Sequence, residues 1–204
     1  MILTDEQKDA LTELINIAFS RTAAALSDLT GHRVILNVPQ VAVHPITDLQ
    51  GVLAEFVGGE IASVHQIFTG PVSGDAILML NYEGANILVD LLTGEGAGSG
   101  RLDVSGQEVL MEVGNILLNA CLGVFGNLLK VHVSFSVPRL HLEELNAMLD
   151  SLVIGKEELR YALVVYTTFQ LRDSSVTGYL VIVLGVASLD RLLHAVEEWA
   201  QLKT

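Results

Sequence analysis

The chain of 204 residues has little of several things that would decide its class quickly. It has one cysteine, Cys121, so no internal disulfide framework and no cysteine-rich metal site can form. Lysine and arginine number 11 against 24 acidic residues, a formal net charge of -13 with a pI near 4.7. Nucleic acid and anionic membrane surfaces repel such a chain. The start, "MILTDEQKDA", is charged within five residues and carries no apolar run, so no signal peptide is expected. The most apolar stretch, "YLVIVLGVA" at 179–187, is too short to span a bilayer. Half of the residues are hydrophobic and 17% are charged, which excludes disorder and leaves enough surface to bury a core. A soluble cytoplasmic protein is the expectation.

What is present is a repeat. Residues 9–41, "DALTELINIAFSRTAAALSDLTGHRVILNVPQV", align without a gap on residues 108–140, "EVLMEVGNILLNACLGVFGNLLKVHVSFSVPRL". Glu13 meets Glu112, Asn16 meets Asn115, and the pair Val38 and Pro39 meets Val137 and Pro138. Apolar matches are cheap in so hydrophobic a chain, but the polar ones in one register point to a duplicated unit. The two repeats run over about 5–93 and 105–201, joined by a Gly-rich linker at 94–103, within one domain covering 1–204. The glycines of "TGEGAGSGRLD" lack the Lys-Ser/Thr of a phosphate loop and read as a connector.

Each copy has the same expected elements. A long helix covers roughly 5–29 and again 105–128, with Thr4 and Gln7, then Ser105 and Glu108, as capping boxes. Glu108 therefore reads equally as a cap residue. Alternating strands follow in "RVILNVPQV" and "KVHVSFSVP". Further extended runs are "GVLAEFV", "ASVHQIFTG" and "DAILMLN" in the first half, and "RYALVVYTTFQL" and "YLVIVL" in the second. A short amphipathic helix closes each half, and "LEELNAMLDSL" is a helical insert of the second half alone. The expected fold is α+β: an antiparallel sheet flanked by two long helices that an internal pseudo-two-fold duplication relates.

On a helix, positions i, i+4 and i+7 fall within about 60° of arc. Asp9, Glu13 and Asn16 share one face, and so do Glu108, Glu112 and Asn115. Carboxylates repel a phosphate, so neither face is an anion pocket. One helical face also supplies too few ligands for a hard cation. A glycosidase-like acid and base need no amide beside them. An asparagine, neutral and able both to donate and to accept, can hold a water in line with a phosphoryl group, as glutamine does in GTPases. The glutamate can grip a cation on the molecule carrying that group. His141 with Glu143 and Glu144 reads as surface charge, and Cys121 as packing.

An acid, three residues, Glu, two residues, Asn, twenty-two residues and Pro, present twice, resembles the signature of the CheC/CheX/FliY family, its CheC branch above all. These are phosphatases of the phosphorylated chemotaxis response regulator. The resemblance covers nearly the whole chain. It implies that Asn16 and Asn115 orient the attacking water and that Glu13 and Glu112 pair with a lysine in the regulator's active site. Asp9 and Glu108 become partner-binding positions; the family shows Asp or Ser there, which Glu108 is not. Pro39 and Pro138 close the motif structurally. The implied partner is a phosphorylated CheY-like response regulator that supplies its own Mg²⁺, so this chain needs no cofactor or metal. The alternative is a non-catalytic adaptor or switch protein that docks a response regulator or a CheD-like deamidase.

Overall fold

The computed structural model describes residues 3–54, 57, 59–94, 102–153, 160–171 and 174–202. The linker expected at 94–103 lies mostly outside these.

The first long helix, α1 (Asp5–Thr30), starts at the expected capping box. The Gln7 N–H donates to Thr4 Oγ1 at 3.1 Å and the Thr4 N–H donates to Gln7 Oε1 at 2.9 Å. Gly31, at φ 67°, ends the helix in a left-handed conformation that costs glycine nothing. The second long helix, α4 (Val104–Leu129), is capped differently from expectation. Ser105 already lies inside the first turn, and no box forms with Glu108. The cap is Asp103, whose carboxylate accepts the Gly106 N–H at 2.8 Å.

Between and after these helices run α2 (Leu49–Ala54), α3 (Tyr82–Thr93), α5 (Leu145–Val153) and α6 (Val186–Gln201). The stretch "GVLAEFV" is expected to be extended, but its residues 51–54 belong to α2. Leu49 and Leu53, one turn apart, bury the same helical face completely. A short helix thus follows the edge strands of both halves, and α5 is not an insert peculiar to the second.

Among the described residues, eight strands form one antiparallel sheet: β1 (Val34–Leu36), β2 (Gln40–Pro45), β3 (Glu60–Thr69), β4 (Gly74–Asn81), β5 (Ser134–Phe135), β6 (Arg139–Glu144), β7 (Arg160–Leu171) and β8 (Ser174–Gly185). Its centre is ordered β7-β8-β4-β3. β1 and β2 lie end to end along β7, and β5 and β6 along β3. Each half therefore lends its edge strands to the other half's hairpin. The expected strands at 33–41 and 130–138 are both interrupted just before a proline. The Asn37 N–H reaches Thr168 O at 3.1 Å and the Ser136 N–H reaches Ile67 O at 2.8 Å. Two residues later Pro39 and Pro138 have no N–H to offer, and the ladder restarts beyond them.

The sheet is covered on both faces. On β4, Ala76, Leu78 and Leu80 pack into a core with α1, α3, α4 and α6. Ile77 and Met79 pack with α2 and α5 on the opposite face. β8 divides in the same way, with Leu180, Ile182 and Leu184 on the first face and Val181 and Val183 on the second. Double coverage explains why "DAILMLN" and "YLVIVL" are continuously apolar where a half-exposed strand would alternate. The two long helices share one face and pack on each other, so they do not enclose the sheet from opposite sides.

α4 is long and apolar enough to cross a membrane by length and composition. Here it is a core helix: Leu110, Val113, Leu117, Leu118, Cys121 and Leu122 are buried in the protein.

Candidate functional site

The buried face of α1 is built from Leu11, Leu14, Ile15, Ala18, Phe19, Thr22 and Leu26. Ninety-nine residues on, Leu110, Val113, Gly114, Leu117, Leu118, Cys121 and Phe125 are buried in α4. Packing this stripe turns the opposite side of each helix outward. On α1 that side carries Asp9 and Glu13, both exposed, and Asn16, half-buried. On α4 it carries Glu108 and Glu112, both exposed, and Asn115, half-buried. The structure thus brings each expected acid–acid–amide set together on a solvent-facing helix surface. Glu108, with no capping box to serve, stands in line with Glu112.

The carboxylates of Asp9, Glu13, Glu108 and Glu112 all face solvent. Glu112 makes no hydrogen bond or ion pair among the described residues. Two exposed carboxylates on one rigid helix favour a cation presented by another molecule. Among the described residues, no group of three or more His, Cys, Asp or Glu is arranged to hold a metal ion.

Pro39 is buried and Pro138 half-buried, each in the break between the two edge strands of its half. Both shape the sheet edge, and neither lies on the helical faces. Val38 and Val137, each just before its proline, are 69% and 82% exposed, so the breaks push an apolar side chain outward at matching places.

Sequence reasoning missed Asn119. Its Nδ2 donates to Asn115 Oδ1 at 2.7 Å. The signal was present in "EVGNILLN", where the second asparagine follows the first by the four residues that align side chains on a helix. At the corresponding place on α1, the Ser20 hydroxyl donates instead to the main-chain oxygen of Asn16, at 2.8 Å.

Other polar clusters lie elsewhere. His65 Nε2 and Asp75 Oδ1 are 3.2 Å apart on β3 and β4, and the His65 and His141 rings have centroids 6.4 Å apart. A groove of about 1000 Å³ runs beside α2, with His44, Leu53, Tyr166 and Tyr179 among its walls, and it contains none of the six acid and amide residues. Cys121 is fully buried, and burial pushes its thiol well above the usual range, so it is packing and not a nucleophile.

No family model matches the chain. The flagellar motor switch phosphatase FliY of Bacillus subtilis (strain 168) is 26% identical over 143 residues, 69% of this chain and 36% of that protein. The chain therefore aligns with little more than a third of that relative. The CheY-P phosphatase CheC of the same organism is 26% identical over 176 residues, covering 81% of each. Among solved structures, Thermotoga maritima FliY superposes with a TM-score of 0.77 at 20% identity, over 97% of this chain and 99% of that one. The FliM middle domain from H. pylori superposes with a TM-score of 0.67 at 13% identity, over 95% and 99%. The aligned relatives, the shared fold and the twice-written Glu/Asn motif agree: the chain is similar to the CheC and FliY proteins of the CheC/CheX/FliY family.

Proposed function

We propose that the chain is a phosphatase of the aspartyl phosphate on a CheY-like response regulator. The observation that carries this reading is the pair of Glu/Asn sets, Glu13 with Asn16 and Glu112 with Asn115, on the outward faces of two rigid, core-packed helices. The relative named as a CheY-P phosphatase supports the choice of substrate. A helix surface suits this chemistry because the reacting groups sit in a cleft of the partner, which a projecting helix can enter. Glu13 or Glu112 pairs with a lysine beside the phosphorylated aspartate, and Asp9 and Glu108 add to the contact. The carboxamide of Asn16 or Asn115 holds a water in line with phosphorus. As the water oxygen bonds to phosphorus, the bond to the aspartate oxygen breaks, releasing inorganic phosphate and the free carboxylate. No covalent intermediate forms on this chain. The Mg²⁺ that neutralises the developing charge is the regulator's own.

We also infer that the single domain arose by duplication of a unit covering about 5–93 and 105–201. The caps Thr4 and Asp103 lie 99 residues apart, and the same shift relates the buried stripes of α1 and α4. It also carries Ile35 to Ser134 and Val41 to Leu140. Their partners, Gln170 and Thr69, then Val165 and Val64, differ by 101 in both cases. A pseudo-two-fold relation of the halves requires such matching registers. Acting on a response regulator places the protein in the cytoplasm, with no nucleic acid partner and α4 in the core, not in a membrane.

A second reading keeps docking without hydrolysis: an adaptor or switch protein that binds a response regulator or a CheD-like deamidase. The likeness to the FliM middle domain favours it. Dephosphorylation of a CheY-type regulator, charged with acetyl phosphate, separates the two. Wild type should accelerate loss of phosphate, Asn16→Ala and Asn115→Ala should each slow it, and the double variant should fall to the regulator's own rate. A double variant as fast as wild type would refute the role of the asparagines. Wild type without effect on any regulator of its host would leave the adaptor.

A further inference from the structure

The two Glu/Asn faces are alike in every residue of the motif except the leading acid, yet they differ in how the asparagine is held. On α4, Asn119 lies one turn beyond Asn115, and its Nδ2 donates to Asn115 Oδ1 at 2.7 Å. With the Asn115 oxygen facing it, the reverse amide orientation at Asn119 would set two carbonyl oxygens against each other. Asn119 Oδ1 is buried and meets no donor among the described residues. An asparagine inside a helix with an orphaned buried oxygen is a costly choice, and such a group calls for an explanation beyond packing.

The hydrogen bond explains it. A carboxamide oxygen accepts twice, so Asn115 keeps one lone pair and both N–H donors free after Asn119 has engaged it. What it loses is rotation about its last side-chain torsion. On α1 the equivalent residue, Ser20, bonds back to the main chain of Asn16 and does not touch its carboxamide. The Asn16 carboxamide has no hydrogen bond among the described residues. We propose that Asn119 is a positioning residue that presets the Asn115 carboxamide, making the α4 face the faster of two unequal sites. The proposal rests on the phosphatase reading above. An amide oriented before docking spends no rotational freedom in placing the water, so the advantage belongs in kcat and not in KM.

The test works with single sites in the full-length chain. In an Asn16→Ala background only α4 acts. There Asn119→Ser, which copies the α1 arrangement, should lower kcat about three- to tenfold with KM nearly unchanged. Asn119→Asp keeps the shape but cannot donate; its carboxylate would draw Asn115 Nδ2 toward it and turn the amide over, so kcat should fall at least as far. In an Asn115→Ala background, Ser20→Asn should raise the kcat of the α1 face. Circular dichroism melting checks that each variant is folded. Unchanged kcat in both Asn119 variants, with Asn115→Ala still damaging, would overturn this proposal and leave the phosphatase reading intact. If neither Asn16→Ala nor Asn115→Ala slowed the reaction, the underlying reading would fall and the proposal with it.

Discussion

Val64 on β3 occupies the space into which a side chain at Gly114 on α4 would project: a Cβ at Gly114 would lie 2.6 Å from Val64 Cγ1 and 2.7 Å from its Cβ. The missing side chain lets α4 lie close on the sheet immediately before Asn115. On α1 the corresponding residue is Ile15, fully buried. The close approach therefore sets the height of Glu112 and Asn115 above the sheet.

Gly114→Ala should destabilise the protein. Val64 cannot rotate away, since its Cβ is itself too near. Overpacking of about 1–3 kcal/mol equals or exceeds the roughly 1 kcal/mol that alanine gains in a helix. Denaturant unfolding should show a net loss of about 1 kcal/mol. Val64→Ala in the same chain should recover part of it, a less-than-additive pair.

The caps can be tested in the same way. Asp103→Ala should cost about 1 kcal/mol, as Thr4→Ala should at the other helix, because each leaves a first-turn N–H without its partner. Ser105→Ala should stay within about 0.5 kcal/mol. Equal losses at 103 and 105 would contradict the assignment of the cap to Asp103.

Neutralising both glutamates, by Glu13→Gln with Glu112→Gln, should weaken docking more than chemistry. We expect KM for a phosphorylated regulator to rise about tenfold or more while kcat changes little. Added salt should raise the wild-type KM and affect the double variant less, because screening removes an attraction the variant has already lost.

Tyr179 predicts an alkaline limit to stability. Burial, then the neighbouring Tyr166, raises its phenol from the ordinary value of 10 to about 12. A proton held more tightly in the folded state stabilises it fully below pH 10, and that contribution is lost as pH rises through about 12. Tyr179→Phe should therefore shift alkaline unfolding to higher pH, and tyrosinate absorbance should show one late-titrating phenol disappear.

Most of the fold was legible because the strongest signals are local. α1, α3, α6, β3, β4 and β7 fall within a few residues of their expected positions, since helical periodicity, the capping box at Thr4 and long apolar runs need no knowledge of what they pack against. The misses occurred where a distant partner decides. Residues 51–54 look extended on paper, but they join a helix whose Leu49 and Leu53 form a buried stripe once the sheet's second face is there to cover. Ser105 and Glu108 match a capping-box spacing, yet Asp103 caps α4; the shift from Thr4 already pointed there. The site shows the same division. The repeat singled out Glu13, Asn16, Glu112 and Asn115, whereas Asn119 acquired meaning only from a 2.7 Å hydrogen bond.

By itself, then, the sequence determined the helices, the central strands and the doubled Glu/Asn pattern, because periodicity and polar spacing are properties of the chain alone. Tertiary structure decided that the edge strands cross to the opposite hairpin, that both long helices share one face, and that the two asparagines are held differently. Those outcomes depend on which surfaces meet across the fold, and a buried apolar face records that it must be covered without recording by what.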